Sequence, residues 1–156
     1  MSSILGYARA TGRPGIRNLV LSIHTVECSS LVSQQIAAAD PRIHALGFPG
    51  CYSNAYASRL IVSLATHPNV GAVLLVSLGC EGTDASRLAT EIAAGGRAVE
   101  VLKIQEAGGT EPAVRQGRTI SARMLAELDR TPRVPMELSD LVIGTECGGS
   151  DATSGI

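Results

Sequence analysis

Cys28, Cys51, Cys80 and Cys147 each follow an apolar, strand-like run, respectively Leu19 to Val26, Ile43 to Phe48, Val73 to Leu78 and Leu141 to Ile143. An ionised thiol is a metal ligand or a nucleophile, and a neutral buried one is a small apolar residue. If the four runs are parallel strands, the thiols gather along one edge of a sheet. Open α/β sheets bind ligands at that edge, because loops leaving the carboxyl ends of the strands line a crevice into which helix N-termini point partial positive charge. The loops concerned read His24-Thr25-Val26-Glu27-Cys28-Ser29, Pro49-Gly50-Cys51-Tyr52-Ser53-Asn54, Gly79-Cys80-Glu81-Gly82-Thr83, Gln105-Glu106-Ala107-Gly108-Gly109-Thr110 and Glu146-Cys147-Gly148-Gly149-Ser150-Asp151. Glycine lets backbone N–H groups approach a ligand, and a helix starting beside it offers unpaired donors suited to phosphate or carboxylate. The pattern points to an anion.

No GxGxxG follows the first strand-like run and no P-loop occurs, so nucleotide binding has no motif to support it. There is no CxxC pair and no histidine ladder at zinc-finger spacing. A metal would therefore be held by residues from different loops, with Cys80 and Glu81, and Cys147 with Glu146 or Asp151, the best placed. Mixed thiolate and carboxylate ligands suit a divalent ion such as iron(II) or zinc. Glu81 follows the most hydrophobic run with glycines on either side, which makes it the leading general base or ligand. His24 falls in the last residues of the first run, where it is either a base or ligand or a hydrogen-bonded buried imidazole. Asp84 reads as a helix cap and His67, before Pro68, as a helix-ending turn.

Positioning these loops requires alternating strands and helices, and the chain alternates throughout. Strand-like runs at 19–26, 43–48, 71–78, 99–104 and 140–144 enclose helical stretches from Ser29 or Ser30 to about Asp40, from Tyr52 to about His67, from Thr83 or Asp84 to Gly95, and from Thr110 to about Leu128, with 131–135 a Pro-bounded loop. Gly71 to Leu78 is continuously apolar, as a strand buried on both faces should be. The prediction is an α/β fold: a doubly wound, Rossmann- or flavodoxin-like three-layer sandwich on a five-stranded, mainly parallel sheet. Strand order should reverse beside the first strand, so that the Cys28 and Cys80 loops border one crevice.

The 156 residues suit a single domain with a sizeable core, and thirteen basic against fourteen acidic side chains give no electrostatic reason to expect nucleic acid or an anionic membrane. The first residues lack an apolar stretch of signal-peptide length and no run is long enough to span a bilayer, so the chain reads as cytoplasmic with reduced thiols.

Gly6-Tyr7-Ala8-Arg9, Gly12-Arg13-Pro14-Gly15-Ile16-Arg17-Asn18, Thr25-Val26-Glu27-Cys28, Gly50-Cys51, His67-Pro68-Asn69-Val70-Gly71 leading to Leu78-Gly79-Cys80-Glu81, Gly108-Gly109-Thr110 and Cys147-Gly148-Gly149-Ser150-Asp151 occur in that order. In this the chain resembles the altronate dehydratase and galactarate dehydratase family of sugar-acid dehydratases, which includes the large subunit of sulfolactate sulfo-lyase. It departs at Thr11, where members often carry an acidic residue, and at Gly47-Phe48-Pro49, where they often carry a histidine. The resemblance implies a lyase that removes water from a polyhydroxy carboxylate to give a 2-keto-3-deoxy acid, with iron(II) as cofactor. It also implies one domain of a longer enzyme or a separately encoded subunit, with the remaining region as partner.

On that reading Glu81, His24 and Asp151 are catalytic candidates. Arg13, Arg17, Asn18, Gly108, Gly109, Thr110, Gly149 and Ser150 are substrate-binding candidates, and Cys28, Cys51, Cys80 and Cys147 metal-ligand candidates. Arg13 and Arg17 could clamp a carboxylate bidentately, although their turn precedes the first strand and belongs to its amino end unless the segment folds over. Two other readings stand beside this one: a non-catalytic domain that binds a sugar acid or holds a homo-oligomer together, and an iron-sulfur protein using the four cysteines.

Overall fold

The computed structural model describes residues 4–146, 148, 149 and 151–153. In chain order the elements are β1 (Ile4–Tyr7), β2 (Leu19–His24), α1 (Ser30–Ala37), β3 (Ile43–Gly47), α2 (Ala55–Ala65), β4 (Val70–Ser77), α3 (Ala85–Ala94), β5 (Ala98–Lys103), α4 (Thr110–Leu128) and β6 (Arg133–Met136). Four strands form a parallel sheet in the order β3-β2-β4-β5, and β1 pairs antiparallel with β6 in a separate two-stranded sheet. The order reverses beside β2, as expected. The loops after β2 and β4 therefore flank one crevice.

The centre of the sheet follows from side-chain period. Along β4, Ala72, Leu74 and Val76 face one way and pack with Val32 and Ile36 of α1 and Ala113, Val114, Met124 and Leu125 of α4. Val73 and Leu75 face the other way and pack with Ile61 and Ala65 of α2 and Leu88 and Ile92 of α3. Leu74 and Leu75 are fully buried, and burying such a side chain is worth roughly 1.5–3 kcal/mol. Helix starts are set by short polar side chains. Asn54 accepts from Tyr56 N and Ala57 N, both at 3.0 Å, and Asp84 accepts from Ser86 N at 2.9 Å and Arg87 N at 3.1 Å, each cap contributing ~1 kcal/mol.

The fifth parallel strand expected at 140–144 does not form. Arg133–Met136, which overlaps the loop expected at 131–135, pairs with Ile4–Tyr7, and the following residues enter a 3-10 turn, Leu138–Asp140, closed by reciprocal bonds between Glu137 and Asp140. This routing carries the chain to the amino end of the parallel sheet, away from β5. Val142 and Ile143 are left 70% and 84% exposed. Among the described residues no helix is long and apolar enough to cross a membrane.

Candidate functional site

Three cysteines stand where their strands place them. Cys28, Cys51 and Cys80 lie in the loops after β2, β3 and β4, three neighbouring strands, and all three are exposed free thiols. Cys147 lies outside the described residues. The three loops are joined by hydrogen bonds: Glu27 N donates to Pro49 O at 3.3 Å and Gly82 N to Cys51 O at 3.0 Å, and the Ser53 hydroxyl donates to Gly82 O at 2.5 Å. The carboxyl end of the sheet is thus one continuous rim.

Glu81 is the anchor of that rim. Its Oε1 accepts from the Thr25 hydroxyl at 2.5 Å and from Leu78 N at 3.3 Å, and its Oε2 accepts from Gly79 N at 2.8 Å. Burial is the largest single influence on its pKa and favours the neutral acid. Hydrogen bonds from Ser77, Thr25 and the backbone of Gly79 and Glu81 together outweigh it and hold the carboxyl at about 2. Glu81 is therefore ionised at neutral pH, and a carboxylate so stabilised is a weak proton acceptor. Thr25 and Ser77 are both buried; neither is among the site candidates of the sequence, where Thr25 stands only within the His24 to Ser29 loop and the Thr25-Val26-Glu27-Cys28 block and Ser77 only as a hydroxyl residue near the end of its strand.

His24 closes β2 beside Gly47 of β3. A Cβ at Gly47 would stand 2.1 Å from His24 O and 2.5 Å from the ring Cγ, so only glycine admits the imidazole there. The buried Nδ1 has no hydrogen-bond partner among the described residues. Desolvation lowers the pKa of the ring, opposed by Glu27. The ring is therefore neutral at pH 7.

Gly108, Gly109 and Thr110 lie on the same end, where β5 hands over to α4. Gly108 and Gly109 have φ of 90° and 110°. No atom lies within 4 Å of a Cβ built at Gly109, so backbone conformation rather than space calls for glycine there. Unlike α2 and α3, α4 has no side-chain cap. Gly149 is exposed, Ser150 lies outside the described residues, and Asp151 accepts from Thr153 N at 2.8 Å and from the Thr153 hydroxyl at 2.6 Å in a local turn.

Arg13, Arg17 and Asn18 lie at the opposite, amino end of the sheet, as their place before β2 implied; the segment does not fold over to the rim. There Asn18 donates to Leu128 O at 2.8 Å and accepts from Arg9 Nη1 at 2.9 Å. Arg9, which the sequence reading did not single out, also donates through Nε to Pro68 O at 2.6 Å and through Nη2 to Arg17 O at 2.8 Å. Desolvation, then the nearby Arg97, lowers its pKa to about 10. Arg97, 5% exposed, donates to Thr66 O at 2.9 Å and to Gly95 O and Gly96 O at 3.4 and 3.3 Å. The sequence-derived binding residues thus divide between two ends of one sheet.

Among the described residues no three His, Cys, Asp or Glu side chains converge on a point that could hold a metal ion. Cys28, Cys51 and Cys80 share a rim, and among the described residues they are not part of such a group.

The family model described as D-galactarate dehydratase/Altronate hydrolase, second domain, matches residues 6–129. The chain is 28% identical to altronate dehydratase of Escherichia coli (strain K12), over 96% of this chain and 33% of that protein. It is also 28% identical to the (2R)-sulfolactate sulfo-lyase subunit beta of Chromohalobacter salexigens, over 98% of this chain and 40% of the relative. With galactarate dehydratase (L-threo-forming) of Escherichia coli it shares 32% identity over 63% of this chain and 20% of the relative. The chain spans between a fifth and two fifths of the length of these curated relatives.

Proposed function

This chain belongs to the D-galactarate dehydratase/altronate hydrolase family, matching its second domain, and from that premise we propose that it serves as a domain of a hydro-lyase that converts a polyhydroxy carboxylate to a 2-keto-3-deoxy acid. The observation that carries the reading is the laced rim: the Cys28, Cys51 and Cys80 loops joined by hydrogen bonds, with His24, Glu81 and the start of α4 on the same end.

The residues present divide the work. His24 Nε2, neutral at pH 7, takes the C2 proton of the substrate, the C2–H electrons form the C2=C3 bond, and the imidazolium so formed gives that proton to the 3-hydroxyl, which leaves as water. The resulting enol tautomerises to the 2-keto acid. Glu81 is a positioning residue: its oxygens occupy the N–H groups of Leu78 and Gly79, and Asp84 occupies those of Ser86 and Arg87. Gly109 N already donates to Ile104 O at 3.0 Å, and the N–H groups of Thr110 and Glu111, in the first turn of α4 with no side-chain cap, are left for a substrate anion. The remaining length of the relatives supplies whatever the rim lacks, and in its native assembly the protein works on a sugar acid as a soluble small molecule.

The test is anaerobic incubation of the protein in its native assembly with altronate or galactarate, detecting the 2-keto-3-deoxy acid. Turnover that falls ~10²-fold or more in His24→Phe, with the fold retained, supports the base assignment. Full activity of that variant refutes it, and no turnover with any sugar acid refutes the hydro-lyase reading. A second reading, a non-catalytic sugar-acid-binding domain, rests on the chain's spanning only a fifth to two fifths of its relatives' length, and binding without turnover would support it.

A further inference from the structure

We propose that the cavity at the amino end of the parallel sheet is a separate binding site for a small hydroxylated carboxylate, held by Arg13, His67 and Asn69 with Asp140 opposite. The cavity measures about 290 Å³ and is walled by residues from four separate segments, including Arg13 and Ile16, His67 to Asn69, Met136, and the irregular stretch from Asp140 to Gly144. That volume sits at the small end of metabolite pockets, which run from ~300 Å³ upward.

Its polar groups are oriented by bonds made outside it. Asn69 N donates to His67 Nδ1 at 3.1 Å. A neutral imidazole that accepts at Nδ1 carries its proton on Nε2, so this ring offers a donor. Arg17 N donates to Asn69 Oδ1 at 3.1 Å, which fixes the amide and leaves its NH₂ as a second donor. Arg13 forms no hydrogen bond or ion pair with any described residue, so its planar guanidinium contributes a third, charged donor set suited to a carboxylate. Asp140 accepts from Glu137 N through Oδ2 at 3.0 Å, leaving Oδ1 as an acceptor.

Convergent donors beside one acceptor suit an oxyanion that also carries a hydroxyl. The Asp140 charge disfavours a dianion such as phosphate, and the apolar walls Pro14, Ile16, Met136, Leu141 and Val142 suit a carbon chain. Arg9 and Arg97 are not part of this site, because their guanidinium groups are engaged with backbone carbonyls. This proposal does not depend on the rim being catalytic.

Backbone and histidine-ring NMR of the protein, titrated with gluconate through the millimolar range and in parallel with inorganic phosphate, tests it without requiring turnover. The expected result is saturable shifts at residues 13–17, 67–69 and 140–144, weakened about tenfold or more by Arg13→Gln and by His67→Phe. Shifts confined to 79–83 or 108–110 would overturn the site while leaving the rim reading intact. Absence of any saturable shift would overturn it too, and phosphate binding as tightly as gluconate on the same residues would overturn the ligand class. Arg13 is exposed, so Arg13→Gln reports on binding even if His67→Phe disturbs the turn.

Discussion

Replacing Glu81 with glutamine removes one charge from the rim while keeping the size of the side chain. The displacement of the carboxyl from its ordinary 4.5 to about 2 corresponds to ~3 kcal/mol at most. Glu81 is only partly buried, so solvent screening reduces this to ~1–2 kcal/mol. A glutamine amide could still accept from Thr25 or Leu78 with its oxygen, but it would set an NH₂ against the Gly79 N–H, which now donates at 2.8 Å. The folded-state pKa is depressed, so the contribution is fully present above 4.5 and is lost as pH falls from 4.5 through about 2. Urea unfolding followed by circular dichroism should show a lower midpoint for Glu81→Gln at neutral pH, with the gap from the parent protein closing as the solution is acidified into that window. Thermal unfolding at neutral pH should show a drop of ~2–8 °C. Equal midpoints at neutral pH would refute the anchoring role, and a gap of constant size down to strongly acid pH would show that shape rather than charge is responsible.

Gly47→Ala should destabilise the protein by ~1–3 kcal/mol, because the new methyl would meet His24 O at 2.1 Å, and an NMR titration should show the His24 pKa returning toward its ordinary value as the ring is displaced. Cys28, Cys51 and Cys80 should all be alkylated by iodoacetamide under native conditions, since all three are free and exposed; peptide mass mapping that finds one of them protected would contradict the rim geometry. Arg97→Met should cost ~1–3 kcal/mol by removing the donor to the Thr66 and Gly96 carbonyls, read as a lowered melting temperature; Gly95 O keeps the Thr11 hydroxyl.

What was legible in the sequence was whatever local pattern decides. The continuously apolar run Gly71 to Leu78 reads as a strand buried on both faces, and it forms nearly all of β4, Val70–Ser77. The start of α4 follows from two glycines that no helix interior favours, and its observed span matches the expected one. The run from Leu141 to Ile143 carries a similar apolar signal and was misread. What decides there is the pairing of β6 with β1 across most of the chain, a contact that leaves no local trace. Pro135 argued for a loop, yet it sits opposite Leu5 in a two-stranded sheet, where a missing N–H can face outward. The same limit applies to the rim. Glu81 was identifiable from its loop, but Thr25 is 56 residues away and supplies one of the bonds that turn a candidate base into an anchor.

The two ends of the sheet also differ in what their charges are for. Each helix that follows a parallel strand runs back antiparallel to it, so helix N-termini collect at the rim and helix C-termini at the amino end, where their carbonyls create negative potential. Arg97 bridges Thr66 O and Gly95 O, the C-terminal caps of α2 and α3, and thereby offsets that potential from within. Arg9 does the same for the chain just beyond α2 through Pro68 O, while tying down the segment before β2 through Arg17 O. Both arginines are engaged by neutral carbonyls, and their mutual repulsion contributes to lowering the pKa of Arg9, so adding a third cation nearby is unfavourable without an anion. Arg13 stands apart from this pair, in the wall of the cavity that Asp140 also lines, and its guanidinium bonds to no described residue. On the proposal made above, a bound carboxylate is the partner that this guanidinium takes.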